Sequence, residues 1–290
     1  MEELNQPPPD DSRAAQARRT RSRALIIPRE HGAWGLLLVP LLSGAAVGWA
    51  SGHRAVPLLL FAVSVVALFW MRTPLESLLG TAPMSAHSPA EWRLALVATI
   101  ALGGISMVCL AVLMWGANNR GLLWLGGIGA ATFVLQSLLK NLGRSMRMPA
   151  QLVGALGLTS TAAAAYYVAA GSLDRSAIGL WAANWFFAGN QIHYVHLRIH
   201  GARAARADKF VQGRWFFIAQ IALISLLAWP GFEKVAPRWA AAAFVPMLAR
   251  GFYWFVRKPT PLQIKQLGWS EMAQGVVFGA LLTTAYISSS

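Results

Sequence analysis

Four groups of polar residues stand at the edges of long apolar runs in this 290-residue sequence, and each has residue types suited to a particular chemistry. In Pro28-Arg29-Glu30-His31-Gly32-Ala33-Trp34 an acid and an imidazole adjoin small residues. Glu30 and His31 could exchange protons with a ligand that approaches closely over Gly32. A carboxylate is also what a helix N-terminus favours, so a capped, interface-anchored helix start is the competing explanation. In Asn190-Gln191-Ile192-His193-Tyr194-Val195-His196-Leu197-Arg198-Ile199-His200, three histidines recur at i, i+3 and i+7, on one helical face. Three imidazoles could ligate a metal, but one helix rarely presents three ligands in tetrahedral array, so no metal site is assigned. His193, with Asn190 and Tyr194 beside it, is the set expected to face inward and the third candidate for moving protons. Lys140, Arg144 and Arg147 recur at i, i+4 and i+7 just ahead of a helix start near Ala150. That spacing suits an anion at a helix N-terminus; ordinary cytoplasmic charge explains it as well. Arg72 and Glu76 close the second apolar run, and Arg198 closes the sixth.

The elements that must position these groups follow from composition. Residues of hydrophobic type make up 56% of the chain and charged ones 12%, about half of what a soluble surface requires. A membrane helix needs about 20 mostly apolar residues to cross about 30 Å of hydrocarbon. Nine such runs fall near Ala33–Ala50, Val56–Met71, Leu94–Trp115, Leu122–Leu139, Ala150–Ala170, Ala177–Leu197, Trp215–Trp229, Trp239–Val256 and Glu271–Ile287. They are too long and continuous for the alternation of a barrel strand. The fold class is therefore all-α, a polytopic transmembrane bundle of about nine helices. Trp49, Trp70, Trp115, Trp181, Trp229, Trp239 and Trp254 fall at run ends, as an interfacial belt requires. Gly44 and Gly48 have the spacing of close helix contact. The lone Cys109 can form no intrachain disulfide and says nothing of the compartment.

Charge then orients the bundle. The chain carries 25 Lys+Arg against 11 Asp+Glu, a formal +14. With the runs crossing alternately, nineteen basic residues fall on the side of the N-terminus and five opposite, with Arg250 inside the eighth run. This asymmetry places the N-terminus in the cytoplasm and the C-terminus outside. It also accounts for most of the +14 without nucleic acid, which is not expected as a partner. Residues 1–24, with Pro7-Pro8-Pro9 and an Arg-rich stretch, are expected to be a disordered basic tail preceding one transmembrane domain over 25–290. They show no signal-peptide cleavage pattern. Beside a membrane such a tail attracts anionic lipid.

Several of these elements together carry a resemblance. Pro28 to Trp34, Arg72-Thr-Pro-Leu-Glu76, the stretch from Gln151 through Ala-Tyr-Tyr to Gly171, Tyr194-Val-His-Leu-Arg198 and Leu267-Gly268-Trp269-Ser270-Glu271 resemble the YwiC-like family of bacterial membrane proteins. The similarity runs over residues 25–288 and implies a multi-pass membrane protein without naming an activity. The nine helices, and the spacing Lys140, Arg144, Gln151, Gly154, are more distantly similar to the UbiA-type intramembrane prenyltransferases. That resemblance would imply two Asp-rich motifs holding Mg²⁺ on a prenyl diphosphate. The only aspartates are Asp10, Asp11, Asp174 and Asp208, and only Asp208 is in a relevant loop. A departing diphosphate is normally neutralised by Mg²⁺ on carboxylates, so Mg²⁺-dependent prenyl transfer is not expected and no cofactor is assigned.

Two functions remain. One is a non-catalytic membrane protein, a carrier or a subunit of a complex, with a cytoplasm-facing basic polar cavity. The other is a UbiA-like transferase acting on a lipidic or isoprenoid substrate, with Glu30, His31 or His193 as proton carriers. In either case Arg72, Glu76, Lys140, Arg144, Asn190, Tyr194 and Arg198 are the residues expected at an anion or substrate, including an anionic or isoprenoid lipid.

Overall fold

The computed structural model describes residues 11–28, 31–81, 84–117, 120–201, 208–257 and 262–289. Among these there is no strand. The ten α-helices are α1 (Asp11–Ile26), α2 (His31–Gly52), α3 (Ala55–Leu78), α4 (Pro89–Ala117), α5 (Gly121–Asn141), α6 (Arg147–Ala170), α7 (Arg175–His200), α8 (Lys209–Ala228), α9 (Val245–Val256) and α10 (Ile264–Ile287). Each of the nine apolar runs lies on one of α2 to α10. Seven of the helical segments are long and apolar enough to cross a membrane. The runs that fall short are those of α7, which carries the buried amides Asn184, Asn190 and Gln191, and α10, which carries Glu271. The eighth run changes helix type along its length: a 3-10 stretch, Arg238–Phe244, passes directly into the short α9. Glu271, which opens the ninth apolar run, sits two turns inside α10 because the helix continues back through Lys265 to Ile264.

The chain divides into two compact units, where the sequence suggests one domain over 25–290. The first holds α1, α3 from Leu60 and α4 to Leu113. α4 begins at a reciprocal cap: Ser88 Oγ accepts from Glu91 N at 3.2 Å, and Glu91 Oε2 accepts from Ser88 N at 3.4 Å. Arg21 of α1 pairs with the same Glu91, and Trp70 Nε1 donates to Ile26 O at 2.9 Å. Asp11–Ile26 is helical where the sequence suggests a disordered tail over 1–24; residues 1–10 lie outside the described residues. Ala, Arg and Gln are good helix formers, and the tail's low hydrophobicity is offset by these anchors to α3 and α4. Between α3 and α4 the hydroxyls of Ser64 and Ser106, both buried, meet at 2.7 Å. On α4, Val97, Ile100, Met107 and Val108 are each more than 60% exposed, a bare apolar face that only a lipid solvent makes favourable.

The second unit holds α2, the start of α3 and the chain from Met114 onward. Its axis is the contact of α2 with α6. A Cβ at Gly44 would overlap the backbone of Ala162, and one at Gly48 would come within 2.8 Å of Tyr166 Cα. Small residues on both sides let the backbones touch, so dispersion and packing replace the hydrophobic effect that lipid removes. α6 ends on Gly171 at φ +86°, the left-handed cap position. α7 then starts on Asp174, whose Oδ1 accepts from Ser176 N at 2.8 Å and Ala177 N at 3.2 Å, while Oδ2 accepts from Tyr166 OH at 2.9 Å. The tryptophan belt holds for Trp49, Trp115, Trp229 and Trp239, all exposed, but Trp254 is buried. Lys209 explains the exception, donating to Trp254 O at 2.8 Å with its ammonium over the indole at 4.8 Å.

Candidate functional site

Several buried polar groups of the second unit lie where α7, α9 and α10 meet. α7 brings Asn190 and Gln191, both under 10% exposed, on a helix that also buries Tyr194. Gln191 Nε2 donates to the Glu271 backbone oxygen at 2.8 Å. That bond fixes α10 against α7. Arg250 of α9 pairs through Nη1 with Glu271 Oε1, and the two side chains are 14% and 12% exposed. The guanidinium lies 4.1 Å from the centroid of the Tyr194 ring, so one of its faces is covered by an aromatic surface. Arg250 Nε and Nη2, Glu271 Oε2, Asn190 Oδ1 and Gln274 Oε1 are buried without a hydrogen-bond partner. Arg198 lies one turn beyond Tyr194 on the same face of α7.

This balance is unusual for a purely structural pair. An unsatisfied buried polar group costs about 1–3 kcal/mol, and more when charged. A buried ion pair offsets its desolvation only when its remaining donors and lone pairs are satisfied. Ionisable residues kept at this cost inside membrane helices are functional candidates.

The residues singled out from sequence divide among three surroundings. Asn190, Tyr194 and Arg198 belong to the cluster just described. Arg72 and Glu76 lie in the first unit and pair with each other, Nε to Oε1 at 3.0 Å, one turn apart on α3. Lys140 is exposed in the last turn of α5, and Arg144 opens the 3-10 turn Arg144–Met146 that leads into α6. His193 packs edge-on to the Phe216 ring at 5.2 Å, away from the other two histidines' partners. His196 Nε2 is 2.8 Å from Gln151 Oε1, and its ring stacks on His200 at 5.7 Å. Among the described residues no three His, Cys, Asp or Glu side chains come together around a possible metal. His31 opens α2; Glu30 lies outside the described residues.

The pair at the centre of the cluster, Arg250 with Glu271, is absent from the anion set read from sequence. Its signal was available: opposite charges on consecutive apolar runs, each isolated from other charges by apolar neighbours. Gln274, one turn from Glu271, carries no such signal.

Residues 27–166 match the family model described as YwiC-like protein. Over this stretch the chain is similar to that family. The matched part takes in the Arg29 to Trp34 segment, the Arg72–Glu76 pair and the α2·α6 contact up to Tyr166. It ends before α7, so the Arg250–Glu271 cluster lies wholly outside it. No curated protein and no solved structure matches the chain.

Proposed function

We propose that this multi-pass protein is a non-catalytic carrier of the bacterial cytoplasmic membrane, with its N-terminus in the cytoplasm and its C-terminus outside, and that the α7·α9·α10 cluster receives a small anion. The observation that carries this reading is the buried Arg250–Glu271 pair on a helix that changes from 3-10 to α along its length. A 3-10 stretch inside a helix is a place where it can hinge, and ionisable residues inside membrane helices default to substrate or ion sites. Asn190, Tyr194 and Arg198 from the anion set serve that site; Arg72 and Glu76 neutralise each other on α3. The nineteen-to-five distribution of basic residues supports the orientation.

Mass spectrometry of the small molecules retained by the detergent-solubilised full chain tests the proposal. A polar anion present with the wild type and absent with Arg250→Ala is the expected result. A retained prenyl diphosphate, or its transfer product, would move the assignment to an intramembrane transferase.

A further inference from the structure

The cluster also identifies the chemistry of its cargo, an inference that rests on the carrier reading. Guanidinium holds five N–H donors in one plane, and an edge of two parallel donors matches the two oxygens of a carboxylate or phosphate. Arg250 spends only Nη1 on Glu271; its Nε/Nη2 edge is buried and unpartnered. Glu271 likewise uses Oε1 and leaves Oε2 unpartnered. The pair is therefore joined at one point, although the same two side chains are able to close a two-point fork. Tyr194 covers a face of the guanidinium, leaving the edge as the route of approach. Charge points the same way. Among the described residues Glu271 is the one carboxylate paired with Arg250, and Arg198 adds a second guanidinium one turn from Tyr194 on α7. Of the other unpartnered groups, Asn190 Oδ1 and Gln274 Oε1 are acceptors that call for donors on the ligand, while Gln220 of α8, whose amide lies against Gly251, leaves both a donor and an acceptor unpartnered.

We infer that the Nε/Nη2 edge of Arg250 docks the oxyanion of a small carboxylate or phosphate ester that also carries hydroxyl donors, and that Glu271 is the internal anion this cargo displaces from the guanidinium. The 3-10 stretch before α9 gives Arg250 a helix that can shift without unravelling α7 or α10.

Calorimetry on the full chain in phosphatidylcholine nanodiscs tests this with lactate, glycerol phosphate and inorganic phosphate as soluble probes, and with phosphatidic acid doped into the disc as the lipid source. At least one probe should bind the wild type. Arg250→Lys, which keeps the charge but loses the fork, should weaken it by about tenfold or more. Glu271→Gln should tighten it by about tenfold, because a neutral amide competes less for Arg250. Binding confined to discs containing phosphatidic acid would identify the oxyanion as a lipid headgroup. Failure of every probe, or weaker binding by Glu271→Gln, would overturn the inference. The carrier reading fails separately: a probe that binds but is not transported in proteoliposomes rejects transport and leaves the site. Transport of a cation or neutral solute, unchanged by Arg250→Lys, rejects the oxyanion and leaves the carrier.

Discussion

Removing either member of the Arg250–Glu271 pair strands the other charge among apolar helices. Arg250→Ala or Glu271→Ala should each lower stability by about 3–5 kcal/mol, whereas the double alanine variant should lose far less than the sum. Denaturant or thermal unfolding in detergent, run as a double-mutant cycle, measures this coupling. An additive result would mean that the pair is not formed. Asp174 presents a second residue-scale case of different physics, because its carboxylate caps α7 and also receives the Tyr166 hydroxyl. Asp174→Ala should cost about 1–2 kcal/mol through the lost cap, read as a fall in melting temperature. At this scale the sequence exposes residue types but not their partners. Arg72 and Glu76 are one helical turn apart, and their pairing follows from that spacing alone. Arg250 and Glu271 are on different helices, so their meeting depends on the register of α9 against α10.

The helices themselves were largely legible. A run of about 20 apolar residues can satisfy its backbone in lipid only as a helix, so α2 to α6 and α8 follow from length and hydropathy. α1 rests on its helix-forming residues and on the anchors offered by Glu91 and Trp70, which low hydrophobicity alone does not announce. Contact between helices is the next level, and glycines decide it at α2 and α6. Gly48→Leu should separate the two backbones and abolish a folded monodisperse preparation, as judged by size-exclusion chromatography. Gly126→Ala on α5 is the control: no atom lies within 4 Å of the added Cβ, and the change should be neutral or stabilise by up to about 1 kcal/mol. The spacing of Gly44 and Gly48 announced a close contact, but only the fold identifies Ala162 and Tyr166 as what they touch.

For the whole molecule, the testable quantity is orientation. In a Cys109→Ala background, a cysteine at Gln16 should react with a membrane-impermeant maleimide only after the cytoplasmic side is opened, and one at Ser289 should react from outside. The reverse pattern would overturn the charge-based topology and, with it, the side from which the cargo enters. Composition and the order of apolar runs determined that this is a helical membrane protein, because the bilayer imposes its length and polarity on each segment separately. Sorting of basic residues between loops is equally local and yields an expected topology before any packing is known. Tertiary structure decided which buried polar groups face one another, since α7 and α10 are too polar to stand in lipid alone and become tolerable only when Gln191, Arg250 and Glu271 meet between them. That meeting is a property of three helix faces and their registers, and no single segment of the chain contains it.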